Sequence, residues 1–116
     1  MTKQKVKLGT LGNGETATIY CRSVSTRNGF RHDAVMLIPG EPRIAAKAHY
    51  LNRTWESYQF QSVLHELAEK FVKAKTGCKE IFSGKTKRLE RLYENLVKRI
   101  DKNRGGEYIM DERMFD

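Results

Sequence analysis

The sequence predicts an α+β fold, a three-stranded antiparallel meander followed by two amphipathic helices, and three observations predict it. An alternating segment, Thr16 to Thr26, and an apolar run, Ala34 to Ile38, flank the turn pair Asn28-Gly29. A further alternating segment follows Pro39-Gly40-Glu41-Pro42. The C-terminal half then carries two apolar stripes at three- and four-residue spacing, the mark of helices with one buried face.

Taken in order, Val6 to Leu11 has the composition of a short strand, and Gly12-Asn13-Gly14 after it is a turn. From Thr16 to Thr26, Ala17, Ile19 and Cys21 fall on one face and Thr18, Tyr20 and Arg22 on the other. Asn28-Gly29 favours a two-residue type I′ hairpin, whose two central positions need positive φ. That turn pairs Arg27 with Phe30 and Ser23 with Ala34, and it sets the apolar Ile19, Tyr20 and Cys21 opposite Ile38, Leu37 and Met36. Ala34 to Ile38 is apolar on both faces, as expected of a central strand covered on both sides. Ile44 to Leu51 alternates as a third strand. Thr54 is a candidate N-cap with Glu56 in the first turn, and Phe60, Val63, Leu64, Leu67, Phe71 and Ala74 form the stripe of a first helix that stops at Thr76-Gly77. A second helix starts after Ser83, with Leu89, Leu92, Tyr93, Leu96, Val97 and Ile100 facing inward, and ends at Asn103-Arg104-Gly105-Gly106.

A chain of 116 residues fits one domain, here residues 1–104, with an acidic tail over 105–116. No apolar run approaches the roughly 18 residues that span a bilayer, and no secretion leader is expected. Two cysteines, Cys21 and Cys78, make no disulfide framework, so a reducing cytoplasm is the expected setting.

Charge is the strongest compositional feature. Lys and Arg number 22 against 14 acidic residues, a net charge of +8. It is unevenly placed: residues 70–104 hold 12 basic and 4 acidic residues, and residues 105–116 hold 1 and 4. An excess of this kind points to a polyanionic partner.

Catalytic and metal motifs fall short on inspection. Gly84-Lys85-Thr86 resembles the end of a phosphate-binding loop, but the required glycine at position 79 is Lys79. His65-Glu66-Leu67-Ala68-Glu69 lacks the second histidine of a zinc-protease helix. His32, Asp33 and His49 lie on strands with no nucleophile at a diagnostic spacing. The expectation is a non-enzymatic protein without cofactor or metal.

The outward face of the second helix, with Lys85, Lys87, Arg88, Arg91, Lys98, Arg99 and Lys102, is the main candidate interface. Such a row can neutralise phosphates, or it can be a solvated face laced by the Glu94–Lys98 pair. On the sheet, Arg22 and Arg31 beside Tyr20 and Thr26 form a second candidate surface, with helical cover of Tyr20 and Val35 as the competing expectation.

The stretch YLNRTWESYQFQSVLHEL, Tyr50 to Leu67, resembles a segment of small phage- and prophage-encoded proteins in which a strand runs through Leu-Asn-Arg-x-Trp-Glu into a helix. The resemblance covers about a sixth of the chain and brings no set of functional residues. Within it, Trp55 and Tyr58 are either core anchors or contacts to a partner. The resemblance implies an accessory protein that binds DNA or RNA or, alternatively, inhibits a host defence nucleoprotein in the manner of an anti-CRISPR protein.

Overall fold

The computed structural model describes residues 2–51 and 59–102. The corner holding Thr54, Trp55, Glu56 and Tyr58 and the acidic tail lie outside the described residues. Four strands, not three, form the sheet: β1 (Thr2–Lys7), β2 (Thr16–Ser25), β3 (Phe30–Leu37) and β4 (Ile44–Tyr50), in the order β1-β2-β3-β4 and antiparallel throughout. The additional strand is β1, which lies further toward the N-terminus than the short strand expected from the composition of Val6 to Leu11. Val6 and Leu8 are fully buried, but the chain leaves the sheet at Gly9 (φ +73) and closes a one-turn 3-10 helix over Gly9–Gly12. Gly12 lets that turn fold back on Leu8, because a Cβ there would sit 2.6 Å from the Leu8 Cβ.

The β2–β3 hairpin forms in a register two residues away from the expected one. Ser25 faces Phe30, Cys21 faces Ala34 and Ile19 faces Met36. Neither Asn28 nor Gly29 adopts positive φ, so the type I′ turn is not made. Instead the Thr26 N–H donates to the Gly29 carbonyl at 2.8 Å. A shift of two preserves the side-chain faces, and it sets Arg22 opposite Asp33. In the expected register that carboxylate would have faced Val24.

Two helices follow, α1 (Gln59–Thr76) and α2 (Lys87–Lys102). Helix α1 stops where Gly77 (φ +71) donates its N–H to the Lys73 carbonyl at 2.9 Å, a left-handed C-terminal cap. Helix α2 opens at Thr86, whose carbonyl accepts from the N–H groups of Leu89 and Glu90. Helix α1 lies over β3 and β4, while α2 packs on α1 and touches β1. The core sits between them. Ala17, Ile19, Cys21, Ala34, Met36 and Ala46 from the sheet meet Phe60, Leu64, Leu67 and Phe71 of α1, with Leu96 and Ile100 of α2. Burying each large side chain of this set contributes about 1.5–3 kcal/mol. Val35, on the other face, is 1% exposed yet lies outside this cluster. The helical cover expected over it is not supplied by α1 or α2.

Candidate nucleic-acid interface

Helix α2 is electrostatically two-sided. At 3.6 residues per turn, Lys87, Arg91, Lys98 and Lys102 fall within an arc of about 60° opposite Leu89, Leu96 and Ile100, and span about 22 Å along the axis. All four are exposed, as are Arg88 beside the arc and Lys85 in the loop before the helix. The acidic residues Glu90, Glu94 and Asp101 occupy the flank toward α1. There Asp101 Oδ1 lies 3.2 Å from His65 Nε2. The Tyr93 hydroxyl is pushed up in pKa by burial first, and then by the charges of Glu69, Asp101 and Glu94.

The cations of α1 are engaged. Lys70 pairs with Glu66 and donates to the Ala45 carbonyl at 2.9 Å. Lys73 pairs with Glu69 at 2.8 Å, a hydrogen bond that raises its pKa. Lys75 pairs with Glu41. In contrast, among the described residues no carboxylate pairs with Lys85, Lys87, Arg88, Arg91, Lys98 or Lys102. Equal numbers of lysines in the sequence therefore mean different things on the two helices.

Arg99 is set apart from the other α2 cations. Its side chain is partly buried, and Nη1 donates to the Leu8 carbonyl at 2.6 Å. It therefore ties the C-terminal turn of α2 to the end of β1. Around it, Lys7, Gly9 and Lys102 complete the lining of an open cleft of about 400 Å³. Lys7 and Gly9 were not candidates from sequence. Nothing in the spacing of residues 7, 99 and 102 signals that they meet; at most, glycines at 9 and 12 around Leu11 hint at a sharp corner.

Arg22 and Arg31 occupy the sheet face away from the helices, but as partners of Asp33. Arg22 Nε donates to Oδ2 at 2.7 Å and Arg31 Nε to Oδ1 at 2.8 Å, with the carboxylate side chain 2% exposed. Burial alone would raise the pKa of Asp33. The hydrogen bonds from Arg31 and Arg22, with their positive charge, more than offset it and hold the group below its ordinary value of 3.8. Lys5 and Lys47 are exposed on the same face, and Tyr20 stands half-buried between Val35 and Lys3 in register. Trp55 and Tyr58 fall outside the described residues.

The groups with other chemical potential are dispersed. His32 is buried in an aromatic cluster, 4.3 Å from Phe60 and 5.1 Å from Tyr50 between ring centres. His49 is exposed on the opposite face. Cys21 is buried, which pushes its thiol up to about 12 and leaves it a poor nucleophile; Cys78 is exposed. Among the described residues no three His, Cys, Asp or Glu side chains gather as metal ligands, and no helix is long and apolar enough to cross a membrane.

Comparison with protein-family models, with characterised proteins and with solved structures finds no match to this chain.

Proposed function

We propose that the protein is a non-enzymatic accessory protein of phage type that binds DNA or RNA, with α2 as its main contact surface. The observation that carries this reading is the arc of Lys87, Arg91, Lys98 and Lys102, none of them paired with a described carboxylate, in a molecule that neutralises the lysines of its neighbouring helix. Cations aligned on one rigid element, without a carboxylate partner among the described residues, match a polyphosphate backbone, and binding to it releases condensed counterions. Phosphate contacts of this kind give affinity without base readout. Arg88 and Lys85 extend the surface at its N-terminal end. Arg22 and Arg31, committed to Asp33, keep only part of their charge for a ligand, so the sheet face plays the lesser role. The Leu-Asn-Arg-x-Trp-Glu segment adds the phage context, and the expected compartment is the host cytoplasm.

The test is fluorescence anisotropy of nuclease-treated protein with short single- and double-stranded DNA and RNA across a salt series. Log affinity is expected to fall with log salt at a slope near −0.9 for each duplex phosphate contacted, about −3.6 if the arc engages four. The variant R88E/R91E/K98E is expected to lose more than about tenfold in affinity while keeping its circular dichroism spectrum. Unchanged affinity in that variant removes α2 from the interface. Absence of binding by the native protein, together with a nuclease-resistant stoichiometric complex with a host defence protein, would favour the inhibitor reading instead.

A further inference from the structure

We infer that the corner cleft between β1 and the end of α2 is a phosphate-binding site, through which a nucleic-acid backbone lying along α2 passes onto the sheet. The inference rests on the nucleic-acid reading above and adds to it a subsite made of residues nearly a hundred positions apart.

The cleft is built by packing. Val6 and Leu8 are both fully buried, and strand alternation therefore turns Lys7, between them, to the opposite face, where it is exposed. At Gly9 the backbone takes φ +73, and the space its side chain would occupy belongs to Arg99: a Cβ there would meet Nη2 at 2.7 Å and Nη1 at 2.8 Å. The guanidinium is held in that position by the Leu8 carbonyl. Lys102, one turn beyond Lys98, is the last residue of α2 and brings a third cation to the same rim.

Three cations and a bare glycine backbone thus line one open cleft, and no carboxylate is among its described lining residues. Like charges gathered this way repel one another, and an anion seated among them removes that repulsion while gaining three attractions. The fixed guanidinium supplies direction and the two lysines supply flexible charge. A phosphate oxyanion matches this set in charge and in its capacity to accept several hydrogen bonds. Because the cleft is open rather than enclosed, it suits a phosphodiester that continues on both sides. One side leads to the α2 arc through Lys102 and Lys98. The other leads to Lys5, on the same sheet face as Lys7.

The experiment uses the full chain, ¹⁵N-labelled, titrated with inorganic phosphate against sodium chloride at equal ionic strength. Saturable shifts are expected at the amides of Lys7, Leu8 and Gly9 and at the Arg99 Nε–H. They are expected to disappear in Lys7→Gln/Lys102→Gln and to persist in Arg91→Gln/Lys98→Gln, with the dispersed spectrum reporting an intact fold in each. Shifts that are absent, or spread evenly over every lysine, overturn the inference. In a second arm, Lys7→Gln, which leaves the α2 arc whole, should cost a single-stranded oligonucleotide about 0.7 units of salt slope, the value for one phosphate contact. An unchanged slope with no phosphate shifts refutes the cleft and leaves the α2 reading standing. Phosphate shifts at Gly9 without any oligonucleotide binding support the cleft as a phosphate site and refute the nucleic-acid reading.

Discussion

Asp33 is the residue on which the sheet face turns. A carboxylate 2% exposed is costly to charge unless it is paired, and here two guanidiniums from different strands share it. Removing the charge leaves both arginines facing an amide that cannot balance them. Asp33→Asn is expected to cost about 2 kcal/mol at neutral pH, in the range for hydrogen bonds to charged groups, read as a lower midpoint in urea denaturation. The pH dependence has a definite sign. The folded-state pKa is depressed, so the contribution of Asp33 is fully present above its unfolded value of 3.8 and fades as pH falls through the lower folded value. The stability gap between native protein and Asp33→Asn should therefore hold at pH 7 and close progressively below pH 3.8. A gap that widens in acid would contradict this assignment. The sequence displays Arg22, Arg31 and Asp33 as three separate residues, and two of them read equally well as ligand contacts. Only cross-strand pairing across eleven positions makes them one cluster.

At the scale of elements, the hairpin and α2 contrast two kinds of information. Alternation in β2 is a property of that strand alone, so the buried set Ala17, Ile19 and Cys21 was legible before any pairing was known. The run from Ala34 to Ile38 is apolar on both faces, and its buried members Ala34 and Met36 followed only from pairing with β2. Register depends on competition between a local turn preference and the pairs formed along the whole ladder. Here the Arg22–Asp33 pair and the Thr26–Gly29 closure accompany a register in which Asn28 has no need of positive φ. Asn28→Ala is accordingly expected to change stability by less than about 0.5 kcal/mol, as at an ordinary surface position. A type I′ turn would lose more, because alanine resists the left-handed region. Thermal or urea unfolding of that variant distinguishes the two. In α2 the apolar stripe from Leu89 to Ile100 and the basic arc opposite it follow from period 3.6, and both were legible. Which cations have no carboxylate partner among the described residues was not, since a partner such as Glu41 for Lys75 lies 34 residues away.

For the whole molecule, a net charge of +8 opposes its own compaction through mutual repulsion while attracting polyanions. The two effects respond to salt in opposite directions. Without ligand, raising salt from about 50 to about 200 mM should raise the melting temperature slightly, by screening repulsion. With saturating oligonucleotide at about 50 mM salt the melting temperature should rise by several degrees, since ligand at about a hundred times its Kd adds about 2.7 kcal/mol. The same increase in salt should then erase most of that gain. A scan by circular dichroism with and without oligonucleotide reads both signs. Salt stabilising the protein equally in both cases would mean that the charge serves solubility alone.

The sequence by itself determined the α+β class, the segments that became β2, β3, β4, α1 and α2, the faces they bury, and the basic character of α2. All of these are set by periodicity and composition within one segment, where each residue's neighbours are known from its position. The tertiary structure decided the rest: the bounds of β1 and its pairing in the sheet, the hairpin register, the capture of Arg22 and Arg31 by Asp33, and the meeting of Lys7, Gly9, Arg99 and Lys102. Each of these depends on which distant groups share space once the core between sheet and helices closes. Such pairings are chosen by the combined free energy of burial, hydrogen bonding and charge over the whole chain, and no local pattern encodes that sum.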